Sequence, residues 1–322
     1  MSDAPDTRPA AARLQSAAGQ DVLGDRDGVR RLMPADALAL VLVAAVAHAL
    51  WNFAARGVRA DGGLFVFLYA VGSTLLWLPV TVVWLLLHPV RPDAAWLFGP
   101  AVSGMLHTVY GVVLQRGYRR GDLSLVYPVA RGVGPLVTLV VAVAALGERP
   151  ARLGIVGALV IVAGIGVISL PGRGTVDSGR RPVRAGIAWG AATGLTIAAY
   201  TIWDSHGVNA LGVPPLPYFT ISLLFQTLPL APRAWRRRAT LPGVLRAHRR
   251  EVLAVAVLSP LAYVLVLQAM RLAPVALVAS TRETSIVIGS LLGVTLLKEP
   301  DGGRRATGAV VVLAGIGCVA LS

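Results

Sequence analysis

Two arginines lie deep inside long apolar stretches of this sequence, where charged side chains are rare. Arg131 and Arg282 each lie about eight residues beyond the start of their stretch. On insertion scales, an arginine at the centre of a membrane helix costs about 2.5–3.5 kcal/mol, so each one needs a partner, a ligand or a water-filled cavity. The pair therefore predicts a site where fixed positive charges bind a carboxylate or a phosphate. A structural ion pair is the alternative.

Glu283 follows Arg282 directly, in the segment STRETS. Successive residues on a helix point about 100° apart, so we expect Glu283 to face Arg131 or a cavity rather than Arg282. A carboxylate at this depth is either a proton carrier or a partner that balances a charge, and the sequence leaves both roles open. His48 is a second candidate for proton coupling.

Polar and aromatic side chains share a helix face at two corresponding places in the chain. Residues at positions i, i+3 and i+4 of a helix are neighbours on its surface. In lipid such a face should turn inward, although tryptophans near span ends also anchor helices at the membrane surface. One face consists of His48, Trp51 and Asn52, and the other of Tyr200, Trp203 and Asp204. We take His48, Asn52, Tyr200 and Trp203 as candidate substrate-binding residues.

Three further tyrosines are candidates for lining the same site. Tyr127 lies one helical turn before Arg131 and shares its face, while Tyr110 and Tyr263 occupy matching positions in the two halves of the chain. The alternative role is hydrogen bonding between helices, which contributes only about 0.6 kcal/mol per bond on average in membranes.

The elements that must position these residues are transmembrane helices. Of the 322 residues, 55% are hydrophobic and 14% are charged, whereas soluble domains carry about 25% charged residues. Apolar runs of about 18 to 25 residues, long enough to cross roughly 30 Å of hydrocarbon, recur along the chain. The runs are continuous rather than alternating, which predicts an all-α integral membrane protein and not a β-barrel.

We predict ten transmembrane helices in this chain. The seventh is the least certain, because prolines crowd both of its ends. The predicted spans are 35–56, 63–87, 94–117, 123–146, 152–171, 184–204, 215–232, 251–270, 274–297 and 303–321.

The chain contains an internal repeat. At an offset of 151 residues, Arg131 matches Arg282, and the segment AGIG at 163–166 matches AGIG at 314–317. Each copy holds five spans, and an odd number means that the second copy enters the membrane from the opposite side. Such inverted repeats are typical of secondary transporters, whose binding site lies near the midplane between the copies. At 1.5 Å per residue both arginines lie about 12 Å from their helix start, close to that midplane.

The repeat divides the chain into four segments. Residues 1–34 are rich in Ala, Asp, Arg and Gly without apolar periodicity, which predicts a disordered tail. The first five-helix repeat covers 35–171, a linker loop covers 172–183, and the second five-helix repeat covers 184–322.

Several smaller motifs have structural interpretations. Pro128, Gly132, Gly134 and Pro135 predict a locally loosened helix around Arg131. Glu148 and Glu299, each at the end of a span, are interpreted as helix caps or gate salt bridges. Small residues seven apart predict close helix packing; these are Gly157 with Gly164 and Gly308 with Gly315.

The segments that repeat also resemble a known family. HALWN at 48–52, the Pro-x-x-Arg-Gly run at 128–132 with its following Gly-Pro, and the Gly-Glu and Lys-Glu ends of spans four and nine are similar to the EamA-type branch of the drug/metabolite transporter superfamily. The resemblance covers about 35–322. It implies two inverted five-helix repeats around a central cavity, and export or uptake of small metabolites by alternating access.

The function predicted from these features is secondary transport of a small organic metabolite, anionic or zwitterionic, across the cell membrane. A lipid-linked phosphate flippase or a membrane enzyme is the alternative from another class, and a non-transporting scaffold is the third. No catalytic constellation, metal-ligand spacing or nucleotide motif is evident, so we predict no enzyme activity, no metal and no cofactor.

The net charge of +14 comes partly from one loop, Arg233 to Arg250, which holds seven arginines. Such loops are cytoplasmic orientation signals and attract anionic lipid, so the charge predicts a bilayer contact rather than nucleic acid. Counted over all loops, Lys and Arg place both termini outside, whereas the family resemblance suggests inside. The sequence leaves that side open.

Overall fold

The computed structural model describes residues 33–55, 58, 62–120, 123–169, 183–297 and 302–322. Helices make up most of these ranges, and no strand occurs within them. The predicted tail lies outside them except for Met33 and Pro34, and Met33 is buried in the main hydrophobic core. The predicted linker 172–183 also lies outside the described residues, apart from Val183 at the start of a helix.

The described residues form 13 helices. A 3-10 turn at Leu228–Leu230 separates the seventh from the eighth. In chain order they are α1 Ala35–Ala55, α2 Gly62–Leu87, α3 Ala95–Arg120, α4 Leu123–Ala144, α5 Arg152–Ser169, α6 Val183–Asn209, α7 Pro215–Thr227, α8 Ala231–Arg236, α9 Leu241–Ala247, α10 Arg249–Leu272, α11 Val275–Arg282, α12 Ser285–Leu297 and α13 Gly302–Ala320.

Five of these helices are long and apolar enough to cross a membrane: α1, α2, α3, α6 and α10. Shorter apolar helical stretches cover Val129–Ala144, Arg152–Ile168 and Ala306–Ala320. Many large apolar side chains on the long helices are exposed, including Leu75 at 68% and Leu86 at 79%. Exposed apolar surface of this kind suits contact with lipid. The full count of ten spans stays a prediction.

Two of the predicted spans are divided. The seventh breaks into α7, the 3-10 turn and α8, because its prolines end regular helix. The ninth breaks into α11 and α12 at Glu283 and Thr284, where backbone hydrogen bonds shorten to the 3-10 type: Glu283 N–H bonds to Ser280 O and Thr284 N–H to Thr281 O. A 3-10 turn inside a helix often marks a functional hinge.

Helices α5 and α13 are the matching last helices of the two repeats, and they pack closely in antiparallel directions. A Cβ on Gly157 would lie 2.6 Å from the carbonyl oxygen of Gly315, and a Cβ on Gly164 would lie 2.9 Å from that of Gly308. At the 151-residue offset Gly157 corresponds to Gly308 and Gly164 corresponds to Gly315, so the two contacts are equivalent. The two helices are therefore related by a local two-fold axis. The predicted small-residue packing is confirmed, and the repeats run in opposite directions here.

The same packing scheme recurs in both halves. Helix α3 packs on α6 in the way that α10 packs on α1, and α3 on α7 in the way that α10 packs on α2. Glycines permit the closest of these contacts. Gly190 and Gly194 of α6 lie against Val129 and Val133 of α4, with both helices running in the same direction.

Glu148 ties the first repeat to the second. Its Oε1 accepts a hydrogen bond from Val275 N at 2.8 Å, and its Oε2 accepts one from Ala276 N at 3.2 Å. These are orphan N–H groups in the first turn of α11, and a carboxylate there also opposes the helix dipole favourably. The cap interpretation of Glu148 is confirmed. Its counterpart Glu299 lies outside the described residues.

Candidate functional site

One carboxylate lies between the two arginines that the sequence singled out. Arg131 Nη1 is 2.8 Å from Glu283 Oε2, and Arg282 Nη2 is 3.4 Å from Glu283 Oε1. The side chains are nearly enclosed, with exposed fractions of 13% for Arg131, 7% for Arg282 and 1% for Glu283. We call these three residues the arginine cluster. It joins the two repeats, because Arg131 comes from α4, Arg282 is the last residue of α11 and Glu283 directly follows it.

The expected contact between Glu283 and Arg131 is confirmed, but the expectation that Glu283 would not face Arg282 is wrong. That expectation assumed a regular helix through both residues. The helix ends at Arg282, and Glu283 lies in the turn that follows. The two long side chains can therefore reach each other, although at 3.4 Å this is the weaker of the two contacts.

The loosening predicted around Arg131 does not appear as a break. Helix α4 continues from Leu123 to Ala144. Gly134 instead provides a close contact, since a Cβ there would lie 2.9 Å from Ile197 of α6. The side chain of Pro128 lies outside the described residues. The irregular backbone occurs at the matching place in the second repeat, beside Arg282.

His48 and Tyr127 border the arginine cluster. His48 Nε2 lies 3.4 Å from Arg131 Nη2, and the Arg131 guanidinium carbon lies 5.3 Å from the centre of the Tyr127 ring. That distance is within the range of a cation–π interaction. Asn52 lies next to this group, but its side-chain nitrogen donates to the His48 carbonyl of its own helix at 2.8 Å.

A second charged group lies around Asp204, and we call it the aspartate cluster. It consists of Asp204, His107, Tyr218 and Tyr263. Asp204 Oδ2 lies 3.0 Å from His107 Nε2 and also accepts the hydroxyl of Tyr263. Asp204 Oδ1 accepts the hydroxyl of Tyr218 at 2.9 Å. Both carboxylate oxygens of this fully buried side chain are thus engaged.

Tyr200 connects the two clusters. Its ring stacks on His107 with centroids 4.1 Å apart and meets the Tyr110 ring edge to face at 5.5 Å. The Tyr200 phenol also interacts electrostatically with Arg131, Arg282 and Asp204. Tyr110, Tyr200 and Tyr263 are therefore brought together, as the repeat pattern suggested.

Trp203 has a different role from the other candidates. Its Nε1–H donates to the carbonyl of Gly99 at 2.9 Å, and its ring packs edge to face on Phe98 at 5.8 Å. These contacts fasten α6 to α3. Among the described residues, the Trp203 side chain contacts Phe98, Gly99 and His206 and no side chain of either cluster, so the structure does not bring it to the site.

Sequence reasoning missed His107 and Tyr218 and left Asp204 out of the site. A signal was present for two of them. Ionisable side chains inside a membrane span are functional candidates by default, and both Asp204 and His107 lie within predicted spans. Nothing in the sequence pointed to Tyr218, since only the packing of α7 against α3 and α6 brings its hydroxyl to Asp204.

The two repeats share their cations but not their acids. Arg131 corresponds to Arg282, whereas Gly132 stands where the second repeat has Glu283. At an offset of 152 residues, Asn52 corresponds to Asp204. Both buried carboxylates thus belong to the second repeat, and the site is chemically asymmetric within a nearly symmetric frame.

No metal centre is formed by the described residues, since none of their His, Cys, Asp and Glu side chains gather in groups of three that could hold an ion.

The fold and the site define a class of protein: a helical membrane protein with two repeats that meet at buried charged groups. The chain matches the model of the EamA-like transporter family over 36–170 and 184–321, and it belongs to that family. It is thus a membrane transporter of small molecules.

A solved crystal structure shares the fold. It covers 88% of this chain and 98% of its own chain, with a TM-score of 0.65 and 15% sequence identity. At that identity the likeness establishes the fold alone. No functionally curated protein matches this chain.

Proposed function

We propose that this transporter carries a small organic anion or zwitterion across the cell membrane, with Arg131 and Arg282 binding its negatively charged group. One observation carries the proposal: two guanidinium groups share one carboxylate in the arginine cluster. The cluster therefore has a net charge of +1 inside the protein. Glu283 balances only one of the two cations, so a second anion is the ligand that the cluster favours.

Glu283 occupies the place that a substrate carboxylate or phosphate would take on Arg131. Arginine binds such groups through paired N–H donors, and these charge-assisted bonds are about twice as strong as neutral ones. We propose that the substrate anion displaces Glu283 from one guanidinium group. Neither arginine is then left without a partner during the exchange. For a zwitterion, the released Glu283 carboxylate would accept the ammonium group.

The hinge beside the site suits alternating access. Glu283 lies in the 3-10 turn between α11 and α12, so a change in its ion pairs acts directly on the least regular backbone near the site. In transporters with inverted repeats, binding sites commonly form at interrupted helices, and the repeats move relative to each other around them. His48, Tyr110, Tyr127, Tyr200 and Tyr263 are proposed to line the substrate path.

The proposal can be tested by thermal stabilisation of the purified protein with matched pairs of small molecules, each pair a carboxylate and its uncharged amide. A ligand at about 100 times its Kd stabilises the folded state by about 2.7 kcal/mol. We expect stabilisation by carboxylates and not by their amides. Hits are then measured for uptake into proteoliposomes, with and without a proton gradient.

Variants locate the binding. Arg131→Gln should abolish the difference between carboxylate and amide, while Arg246→Gln, in the exposed basic loop, should preserve it. Equal stabilisation by carboxylates and amides in the unaltered protein would contradict an anion site. Binding of a lipid-linked phosphate alone would instead favour the flippase alternative.

The basic loop is proposed to contact anionic lipid. Its short helices α8 and α9 bury Ala234 and Val244 against Leu64 of α2. Trp235 is 71% exposed, and the guanidinium carbon of Arg238 lies 5.4 Å from the centre of its ring. An exposed tryptophan beside arginines is the composition expected where protein meets lipid headgroups.

A further inference from the structure

Asp204 is a second buried carboxylate, and the proposed anion site does not use it. Its side chain lies on α6 with no exposed surface. Three other helices each direct one polar group toward it: His107 from α3, Tyr218 from α7 and Tyr263 from α10. The position of this carboxylate therefore depends on four helices, α6 and the three that supply its partners.

The surroundings of the two buried carboxylates differ in charge. Glu283 contacts two permanent cations, which balance it. In the described part of the chain, the ion-pair partner of Asp204 is an imidazole, a side chain that ordinarily changes its charge between about pH 5 and 8. When the His107–Asp204 pair gains one proton, its net charge changes from −1 to zero, whichever atom holds the proton.

We propose that His107 and Asp204 together bind the proton that this transporter couples to its solute. The assignment moves proton coupling away from Glu283 and His48, which the sequence had suggested. The proton comes from the water on one side of the membrane and leaves to the water on the other side. No other reactant is needed.

The helices that pack against α6 each carry a titratable or charged side chain. They are His107 on α3, Arg131 on α4, Tyr218 on α7, Tyr263 on α10 and Arg282 on α11, with Glu283 in the following turn; α6 itself adds Tyr200 and His206. Glu283 is held by two arginines, phenols ordinarily ionise at about pH 10, and His206 is exposed. The buried pair is therefore the proton site that this set of groups favours.

Protonation of the pair and anion binding support each other electrostatically. The arginine cluster contributes +1 and the deprotonated pair −1, so the joined site is neutral without the proton and carries +1 with it. An anion therefore binds better to the protonated site, and by linkage the anion also favours the proton. Coupling of this kind typically changes affinity by about 5- to 150-fold. This step rests on the proposed anion site, whereas the proton site itself does not.

The proton site is tested on the purified full-length protein in liposomes, with no solute added. Infrared difference spectra between about pH 5 and 8 report carboxylic acid and imidazole groups as they titrate. The unaltered protein should show a signal that Asp204→Asn and His107→Gln each remove or shift in pH and that a folded Glu283→Gln protein retains. A signal that both changes leave at the same pH, or that disappears only in folded Glu283→Gln, would overturn the assignment.

Two controls separate proton binding from a structural role. Tyr218→Phe removes a hydrogen bond to Asp204 but no group that titrates in this range, so its signal should remain. Asp204→Glu keeps a carboxylate and should keep a titrating signal at a shifted pH; its absence in a folded Asp204→Glu protein would count against the site.

Anion binding completes the test, using the carboxylate that stabilises the protein most. In the unaltered protein its affinity should fall about 5- to 150-fold as the pH rises. In Asp204→Asn the pair can no longer become negative, so at high pH its affinity should match that of the unaltered protein at low pH. A high-pH affinity in this variant as weak as that of the unaltered protein would refute the coupling. Absence of anion binding in the unaltered protein would refute the proposed function and leave the infrared result standing.

Discussion

The contact between α5 and α13 allows a quantitative test of the inverted repeat. In Gly157→Ala the new methyl carbon would lie 2.6 Å from the carbonyl oxygen of Gly315 and 2.9 Å from the amide nitrogen of Val319. An ordinary van der Waals contact begins at 3.4 Å. The helices must therefore separate by about 0.8 Å, and overpacking of this kind costs about 1–3 kcal/mol.

Gly166→Ala on the same helix is the matched control, because a Cβ there meets nothing within 4 Å. Replacing glycine with alanine raises helix propensity by about 1 kcal/mol at either position. The difference in stability between the two variants therefore reports the contact between the helices. The two-fold relation adds a second expectation. Gly308→Ala should be destabilising as well, since its Cβ would lie 2.9 Å from the carbonyl of Gly164, whereas Gly317→Ala should not.

The assay is the apparent unfolding temperature of each purified variant in one detergent. It is measured from the fraction of protein that stays monodisperse after heating. Gly157→Ala and Gly308→Ala should unfold at lower temperatures than their controls. If Gly157→Ala were as stable as Gly166→Ala, α5 and α13 would not approach each other as described, and the antiparallel pairing of the repeats would lose its main support.

Three further predictions concern the charged residues. Glu283→Gln leaves two buried guanidinium groups without their carboxylate, so it should destabilise the protein by about 3–5 kcal/mol, and a bound carboxylate should restore part of that loss in thermal unfolding. Glu148→Gln should cost about 1 kcal/mol, since it weakens the cap on α11 while leaving the arginine cluster intact; a larger loss of anion binding than of stability would contradict a purely structural cap. Arg236→Gln combined with Arg238→Gln should weaken binding of the purified protein to anionic vesicles but not to neutral ones, and an equal effect on both would argue against electrostatic lipid contact.

The repeat and its consequences were predictable because they depend on comparing the chain with itself. The offset of 151 residues pairs Arg131 with Arg282 in the sequence alone, and the odd number of spans per copy implies opposite directions. The small residues of α5 and α13 were likewise visible, since glycine has few other uses at regular spacing in an apolar helix.

The helix break was less predictable than the repeat. Proline and glycine surround Arg131, yet α4 continues through them. Gly134 instead allows a close contact with α6. The second repeat has neither residue type at Glu283 and Thr284, and there the helix is interrupted. Local propensity therefore predicted the irregular backbone in the first repeat, whereas it occurs in the second.

By itself, the sequence determined that this is a helical membrane protein with duplicated halves, and which cations lie in its spans, because apolar length, periodicity and repetition are properties of the chain alone. Only the tertiary structure decided which acid meets which base. Arg131 and Glu283 are 152 residues apart, and His107 and Asp204 are 97 apart. Such pairings depend on how several helices pack at once, and no local pattern of residues records that.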